Sequence, residues 1–484
     1  MSVQIKSIVR GSVWLFIANI VTKTINVVLA LVLIRGLGVN DYGFLMTVWG
    51  GATLFAGGLD LGMSQALLRE GARDNRLIGS FVKHIIAIRL PLTLVMLFAI
   101  VAFEGEIIKY DYPEVYFSAI LLLILVALIP LVDSWHFPFA FICYIFNQFR
   151  IVAIYRSLYF ALILFMVVLS VYLFHSIEIV AIAYSVVTLV AIILFYKSVA
   201  PLIPKHSKSN LSFKNAIKQG MPFLAINILT LAYMRIELLL LSAMLSTFES
   251  GVYSVQYQII LLFYMVPGLV YNALMPSLYK YSKNFSLLRD AFSKICRYLN
   301  LYALMLTPMV IYLADELMMI IGGEELRGQS SGLRFLALML IFLFSTASLN
   351  FLNVLDMLNK RIIYEATGLI FLIISGVLII PVYEVNGIAI VAVISYGIIG
   401  TLSLFKLYFF GVVDYKQILK DLLIMLPCVG IASVIFFYGT SMIWLNVIIY
   451  FILVLVLLSI FRFWTTTDYR IFTNIVAFIT MPLS

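Results

Sequence analysis

Residues 12–34 read Ser12-Val-Trp-Leu-Phe-Ile-Ala-Asn-Ile-Val-Thr-Lys-Thr-Ile-Asn-Val-Val-Leu-Ala-Leu-Val-Leu-Ile34. At about 1.5 Å of rise per residue, a helix of this length crosses the ~30 Å hydrocarbon core of a bilayer. Lys6 and Arg10 precede it. A cleavable signal has an apolar stretch about half as long, ending at small residues. Neither feature is present, so this run is expected to be a first transmembrane helix. Its polar residues sit near the middle, and Asn19, Thr22, Lys23 and Asn26 share one helical face.

The rest of the chain agrees with this start. Of its 484 residues 64% are hydrophobic, 14% aromatic and only 11% charged, whereas soluble domains carry roughly 25% charged residues. That composition excludes a soluble enzyme, a disordered protein and a nucleic-acid binder. The net charge of +9 is read as topology, since basic residues gather on the cytoplasmic side of membrane proteins. Cys143, Cys296 and Cys428 lie in apolar runs without metal spacing and read as packing residues, and four scattered histidines suggest no metal site.

Further apolar runs occupy 42–66, 81–103, 115–146, 157–174, 179–198, 219–245, 251–275, 295–314, 332–354, 362–381, 388–410, 420–439 and 444–462. Fourteen spans are expected, twelve being the alternative count. The run 115–146 is too long for one straight span, and Pro130 and Pro138 are placed to kink it. Alternate loops carry 25 Lys/Arg on one side and four on the other, which places both termini in the cytoplasm. The outside loops Glu104–Glu114 and Asp315–Ser331 are too small for a catalytic domain. The link 199–218, with Pro201, Pro204 and a polar stretch from Lys205 to Ser209, reads as a hinge between an N-lobe (1–198, six helices) and a C-lobe (219–410, six helices). Residues 411–484 would add two helices and a tail, whose Ile471, Phe472, Ile475 and Phe478 could lie on an interface.

A gap-free repeat supports the two lobes. At an offset of 208, Arg10 aligns with Lys218, Asn19 with Asn227, Thr22 with Thr230, Leu31 with Leu239, Asp41 with Glu249 and Gly43 with Gly251. Six helices separate the copies, so both enter from the same side, as suits a transporter with its pathway between lobes.

The stretch Ile34-Arg-Gly-Leu-Gly-Val-Asn-Asp-Tyr-Gly43, followed by Gly58-Leu-Asp-Leu-Gly-Met-Ser-Gln-Ala-Leu-Leu-Arg-Glu70, resembles the opening of polysaccharide flippases of the Wzx (O-antigen) type. Gly322-Gly-Glu-Glu-Leu326 and Leu333-Arg-Phe-Leu-Ala337 are similar to that family's segment leading into the tenth helix, although Glu325 stands where the family usually has an aromatic. The superfamily also holds multidrug/cation antiporters and lipid II flippases. The resemblance implies transfer of an undecaprenyl-pyrophosphate-linked oligosaccharide from inner to outer leaflet by alternating access.

The residues themselves nominate a site. An unpaired cation at mid-span costs roughly 2.5–3.5 kcal/mol on insertion scales, so it is expected to line water or meet an anion. Lys23, Arg89 and Arg235 are the three basic residues left within spans. Substrate-binding candidates are Lys23, Asn19, Thr22 and Asn26 in the first helix, Arg89 in the third (unless it snorkels to the headgroups), and Asn227, Thr230 and Arg235 in the seventh. Coupling or ion-pair candidates are Asp60, Glu237, Asp133 and His136. Arg235 and Glu237 splay apart, so Glu237 is expected to meet another cation, such as Lys23. Asp60 is expected to carry protons, to pair with Lys23 or Arg89, or to cap a break near Gly57 and Gly58. Asp133 and His136 share a face between two prolines and form either a proton relay or a polar patch. Tyr253, Tyr257, Tyr264 and Tyr271, with Asn272, form a stripe suited to packing or to sugar stacking.

No phosphate-binding glycine loop, serine elbow or His/Cys metal spacing is present in the sequence, so neither ATP hydrolysis nor another enzyme activity is expected, and no cofactor. The partners expected are the lipid-linked oligosaccharide, the bilayer, a coupling H+ or Na+, and other glycan-assembly proteins, with no nucleic acid. Rival readings are a lipid II flippase, a drug/cation antiporter, which would favour acidic cavity residues, and a membrane glycan polymerase or ligase.

Overall fold

The computed structural model describes residues 2–102, 116–204, 211–280, 284–437 and 443–461, together with Phe463. The outside loop Glu104–Glu114, the polar stretch Lys205–Ser209 and the tail beyond Phe463 lie outside the described residues. Every regular element described is helical. The helices are α1 (Ser2–Leu37), α2 (Val39–Ala56), α3 (Met63–Arg73), α4 (Ile78–Ala102), α5 (Tyr116–Asp133), α6 (His136–Ile145), α7 (Phe149–Phe174), α8 (Ile177–Val199) and α9 (Phe213–Met244). There follow α10 (Thr247–Lys280), α11 (Phe285–Tyr312), α12 (Ala314–Gly322), α13 (Ser331–Ala337), α14 (Leu343–Val354), α15 (Leu358–Phe409), α16 (Tyr415–Phe437) and α17 (Ile443–Ile460).

Among the described residues, ten helical segments are long and apolar enough to cross a membrane; this is a multi-pass membrane protein. Apolar runs and helices do not always correspond one to one. The 52-residue α15 covers two runs, because Glu384 (φ 50°) interrupts helical geometry three residues after Pro381. The run 115–146 breaks at Ser134 and Trp135, between the two prolines. The run 42–66 divides into α2 and α3 across a turn at 57–62. Helix starts follow local chemistry: Ser176, Ser212 and Asn284 accept hydrogen bonds from the first-turn amides of α8, α9 and α11.

The chain divides into two compact units. The first comprises Met1–Leu269, Asp315–Leu336 and Leu358–Ser395; the second comprises Val270–Ala314, Ala337–Met357 and Tyr396–Ser484. The first unit thus holds all of the first sequence copy and, from the second, α9, α10 as far as Leu269, and the stretches 315–336 and 358–395. Its core joins Met63, Leu67, Phe81, Ile142, Cys143 and Phe195. In the second unit α11 packs on α16 and α17 around Cys428, Phe436, Tyr450 and Val454, and the Tyr450 hydroxyl donates to the Met305 carbonyl at 2.9 Å. Cys143, Cys296 and Cys428 are free and buried.

Within the first unit α1 lies along α7, while α9 crosses α2 and α3. The start of α2 also meets the start of α10, backbone to backbone. A Cβ on Gly43 would lie 1.8 Å from the Thr247 carbonyl oxygen, and one on Gly251 would lie 2.3 Å from that of Val39. Positions 43 and 251, like 39 and 247, differ by the repeat offset of 208. The two contacts are therefore reciprocal, each glycine receiving the carbonyl that its counterpart's helix presents. Side chains join the same end: Thr247 donates to the Asn40 amide oxygen and Gln258 donates to the Tyr42 hydroxyl.

The segment from α12 to α13 ties down this end. Gly38 precedes α2 and offers no capping side chain, and Glu325 takes that role, its carboxylate accepting from the Val39 amide at 3.0 Å. Arg35 donates to the Ile320 carbonyl at 2.6 Å, near the end of α12. Asp41 lies beside these acids, and burial together with Glu178 and Glu325 raises its carboxyl above the usual aspartate range.

Gly43→Ala or Gly251→Ala must push α2 and α10 apart, at about 1–3 kcal/mol each. Each variant is expected to lower the midpoint of thermal unfolding in detergent, and unaltered midpoints for both would show that the crossing is dispensable.

Candidate functional site

The cations expected in mid-membrane fall into two environments. Lys23 and Arg235, from α1 and α9, both line one cavity of about 240 Å³ in the first unit. Asn26 of α1, Tyr42 and Trp49 of α2, Tyr184 of α8 and Gln258 of α10 contribute its polar and aromatic surface, and Leu33, Leu45 and Leu262 are among its aliphatic residues. Trp49 and Tyr184 meet edge to face with ring centres 5.1 Å apart. Lys23 is exposed to the cavity, and among the described residues no carboxylate pairs with Lys23 or Arg235.

Arg156 extends this positive charge. Its position at the edge of the 157–174 run makes it read as a loop residue, but α7 begins at Phe149 and carries Arg156 two turns inside. Its charge acts on Lys23, as does that of Arg235. Three cations near one cavity repel each other, and at reduced dielectric that repulsion is offset only by water or by an anion. The sequence signal available for Arg156 was the continued apolar periodicity from Phe149 onward. Arg150, closer to the helix start, instead rests on the Trp14 ring at 5.5 Å.

Arg89 is placed differently. It is 2% exposed and Asp60 is 3% exposed, and its Nη2 donates to Asp60 Oδ2 at 3.1 Å. Nη1 reaches Ser134 Oγ at 3.3 Å, and the guanidinium lies 5.7 Å from the Trp135 ring centre. The expected alternative of snorkelling to headgroups is therefore corrected: a carboxylate within reach satisfies the charge inside the protein. Asp60 fills two of its expected roles together, pairing with Arg89 and capping the break in the second span. Its oxygens accept from the Gly62 and Ser64 amides at 3.0 and 3.1 Å.

Glu237 is also corrected in its partner. It is 1% exposed, and its carboxylate accepts from the Tyr253 hydroxyl rather than from Lys23. Its other oxygen has no hydrogen-bond partner among the described residues. The reason is the splay along α9: Arg235 points to the cavity and Glu237 to α10. Tyr253 and Tyr257 stack at 5.9 Å inside the protein, as packing residues. The side chains of Tyr271 and Asn272 lie outside the described residues.

The polar stripes divide as well. Asn26 reaches the cavity, whereas Thr22 is buried and donates to the Asn19 carbonyl at 3.1 Å. Asn227 accepts from Gln65 Nε2 at 2.8 Å, and Thr230 is half-buried on the same helix. Asp133 and His136 adjoin: His136 Nδ1 lies 2.7 Å from the Asp133 carbonyl oxygen and 3.8 Å from its carboxylate. This is a polar patch at the α5–α6 break, with the imidazole held by a backbone group. No group of metal-ligating side chains forms among the described residues.

Comparison with known proteins accords with this architecture. The model of the polysaccharide biosynthesis protein family matches residues 8–282, more than half of the chain. No curated protein matches the sequence. Among solved structures, the lipid II flippase MurJ in an inward closed conformation superposes with a TM-score of 0.75 at 16% identity, covering 92% of this chain and 98% of that one. A MATE transporter in complex with MaL6 gives 0.62 at 16% identity, covering 86% and 96%. A MOP superfamily transporter from Pyrococcus furiosus, described as having a binding pocket of reverse polarity, gives 0.61 at 17% identity with coverage of 86% and 96%. The fold is the one these solved structures share.

A cysteine in place of Lys23 (Lys23→Cys) should react with a small water-soluble thiol reagent, while one replacing Val167, which is 0% exposed, should not. Equal reactivity of the two would mean that no wet cavity surrounds Lys23.

Proposed function

Since this chain belongs to the polysaccharide biosynthesis protein family, we propose that it is a flippase moving a lipid-linked oligosaccharide, an O-antigen or related glycan unit on an undecaprenyl-pyrophosphate carrier, to the outer leaflet of the inner membrane. The observation that carries this reading is the cavity bearing Lys23 and Arg235 with no carboxylate paired to either among the described residues. A pyrophosphate leaving water loses its hydration, and cations fixed at mid-depth offset part of that loss by Coulomb attraction. Arg156 adds to the same field from α7. Asn26 and Gln258 offer hydrogen-bonding groups to sugar hydroxyls, and Trp49 and Tyr184 offer ring faces to pyranose C–H groups. The lipid tail remains in the bilayer.

The same polarity argues against a cationic drug as substrate, because like charges would be brought together. A lipid II headgroup shares the pyrophosphate, and the family's description, a polysaccharide biosynthesis protein, favours a polysaccharide unit. At about 240 Å³ the cavity holds only part of such a headgroup, so transport requires it to widen. The lobes would rock about the 199–218 link, parting the Gly43–Gly251 crossing to open outward. Both termini are assigned to the cytoplasm by the positive-inside rule.

Coupling to an H+ or Na+ gradient is assigned to the acidic candidates. Glu237 fits best, being buried with an unpartnered oxygen and no cation beside it. Asp60 is already balanced by Arg89. Asp133 and His136 are the second choice, at a helix break within electrostatic range of Arg156.

Lys23→Ala and Arg235→Ala should each reduce surface-glycan export by at least about tenfold with the protein still inserted, and Lys23→Arg should retain most activity. Normal export in both alanine variants would remove the cavity from the mechanism. Export of the polysaccharide unit but not of lipid II, in strains depleted of each native flippase, would decide between the two pyrophosphate substrates.

A further inference from the structure

We infer that the buried Asp60–Arg89 pair is a latch: it shapes the turn between α2 and α3 so that the turn's backbone closes against α9 at Gly220. Asp60 and Arg89 are thus positioning residues, acting through the turn, and their importance for transport rests on the alternating-access reading above.

The turn is locally unfavourable. Leu61 (φ 51°) and Gly62 (φ 75°) both lie in the left-handed region, where a leucine costs about 1–2 kcal/mol. Asp60 holds the turn in place. Oδ1 accepts from the Gly62 amide at 3.0 Å, and Oδ2 accepts from the Ser64 amide and from Arg89, both at 3.1 Å. With both oxygens committed, the carboxylate is acceptor to the turn and counter-ion to the arginine together. Arg89 comes from α4, so the pair also sets how the turn sits on the next span.

The apex of this turn meets α9 backbone to backbone. A Cβ on Gly62 would lie 2.2 Å from the Gly220 carbonyl oxygen, and one on Gly220 would lie 2.4 Å from that of Leu61. Only glycine at both positions allows the approach. Beside it Gln65 donates to Asn227 at 2.8 Å, and Arg69 lies 5.1 Å over the Phe223 ring. Fifteen residues beyond Gly220, the same helix presents Arg235 to the cavity. A pair that served stability alone would need neither a left-handed leucine nor a position behind this contact. Without the carboxylate Leu61 is free to return to the ordinary region, and the apex withdraws from Gly220.

Disulfide formation between Gln65→Cys and Asn227→Cys, whose parent side chains touch across the contact, reads closure without substrate. In membranes containing the full chain, Asp60→Asn and Arg89→Gln are each expected to slow this cross-link by about tenfold, and Arg89→Lys to retain most of the rate. Leu61→Gly, which relieves the left-handed cost and leaves the pair intact, is expected to leave the cross-link at least as fast. An unchanged rate in Asp60→Asn and Arg89→Gln overturns the latch. Should those two fail to insert, a cross-link slowed by Leu61→Gly overturns it equally. Because no glycan is involved, failure here is distinct from failure of the substrate assignment, which the export of Lys23→Ala and Arg235→Ala decides.

Discussion

A cation held inside a membrane protein must be matched by a carboxylate or surrounded by something as polar as water. This structure uses both solutions in one compact unit. Arg89 is matched by Asp60 at 3.1 Å and removed from solvent. Lys23 and Arg235 face a cavity instead, with no carboxylate on either among the described residues. The first arrangement is dry and fixed, since removing either partner of a buried pair leaves an uncompensated charge. The second is stable only while the cavity holds water or an anion, and the proposed headgroup site rests on that requirement. Placing Glu237 beside Lys23 would have abolished this property; the splay of α9 keeps it against Tyr253.

Glycines make close contacts between α2 and its neighbours at both of its ends. At one end α2 crosses α10 through Gly43 and Gly251, and at the other the α2–α3 turn meets α9 through Gly62 and Gly220. Backbone-to-backbone contacts of this kind contribute dispersion and tight fit but bury few side chains, so separating them exposes little apolar surface. Large side chains interlocked at the same places would hold more strongly and part less readily. Glu325 and Arg35 add polar ties at the first of these ends, both to backbone groups at helix termini. Glu325 is where this chain departs from the aromatic usual in the family it resembles, and its use as a borrowed helix cap gives that departure a physical role.

Much of this was legible in the chain as written. Long apolar runs with polar residues at mid-span imply a polytopic helical protein, because hydrocarbon leaves the backbone no partner but itself. The offset of 208 was visible as matched residues, and the reciprocal glycine crossing gives two of those positions a shared physical task. Lys23 and Arg235 stood out because a charge in an apolar run is costly wherever the run packs. Helical periodicity also predicted that Arg235 and Glu237 would face apart.

Periodicity states which residues share a face but not what that face meets, and there the tertiary structure decided. It gave Arg89 to Asp60 and Glu237 to Tyr253, and it divided Asn26 from Asn19 and Thr22, though all lie on one stripe. It moved Arg156 from a supposed loop into a helix, because helix ends are set by capping and packing as much as by hydropathy. It set the break in the second span at 57–62, where Asp60 accepts from the Gly62 and Ser64 amides and pairs with Arg89. Composition and periodicity are local properties and settle the membrane, the helices and the costly charges. Pairing is a distance between segments far apart in the chain, so only the folded structure settles which charges are satisfied and which remain open to a ligand.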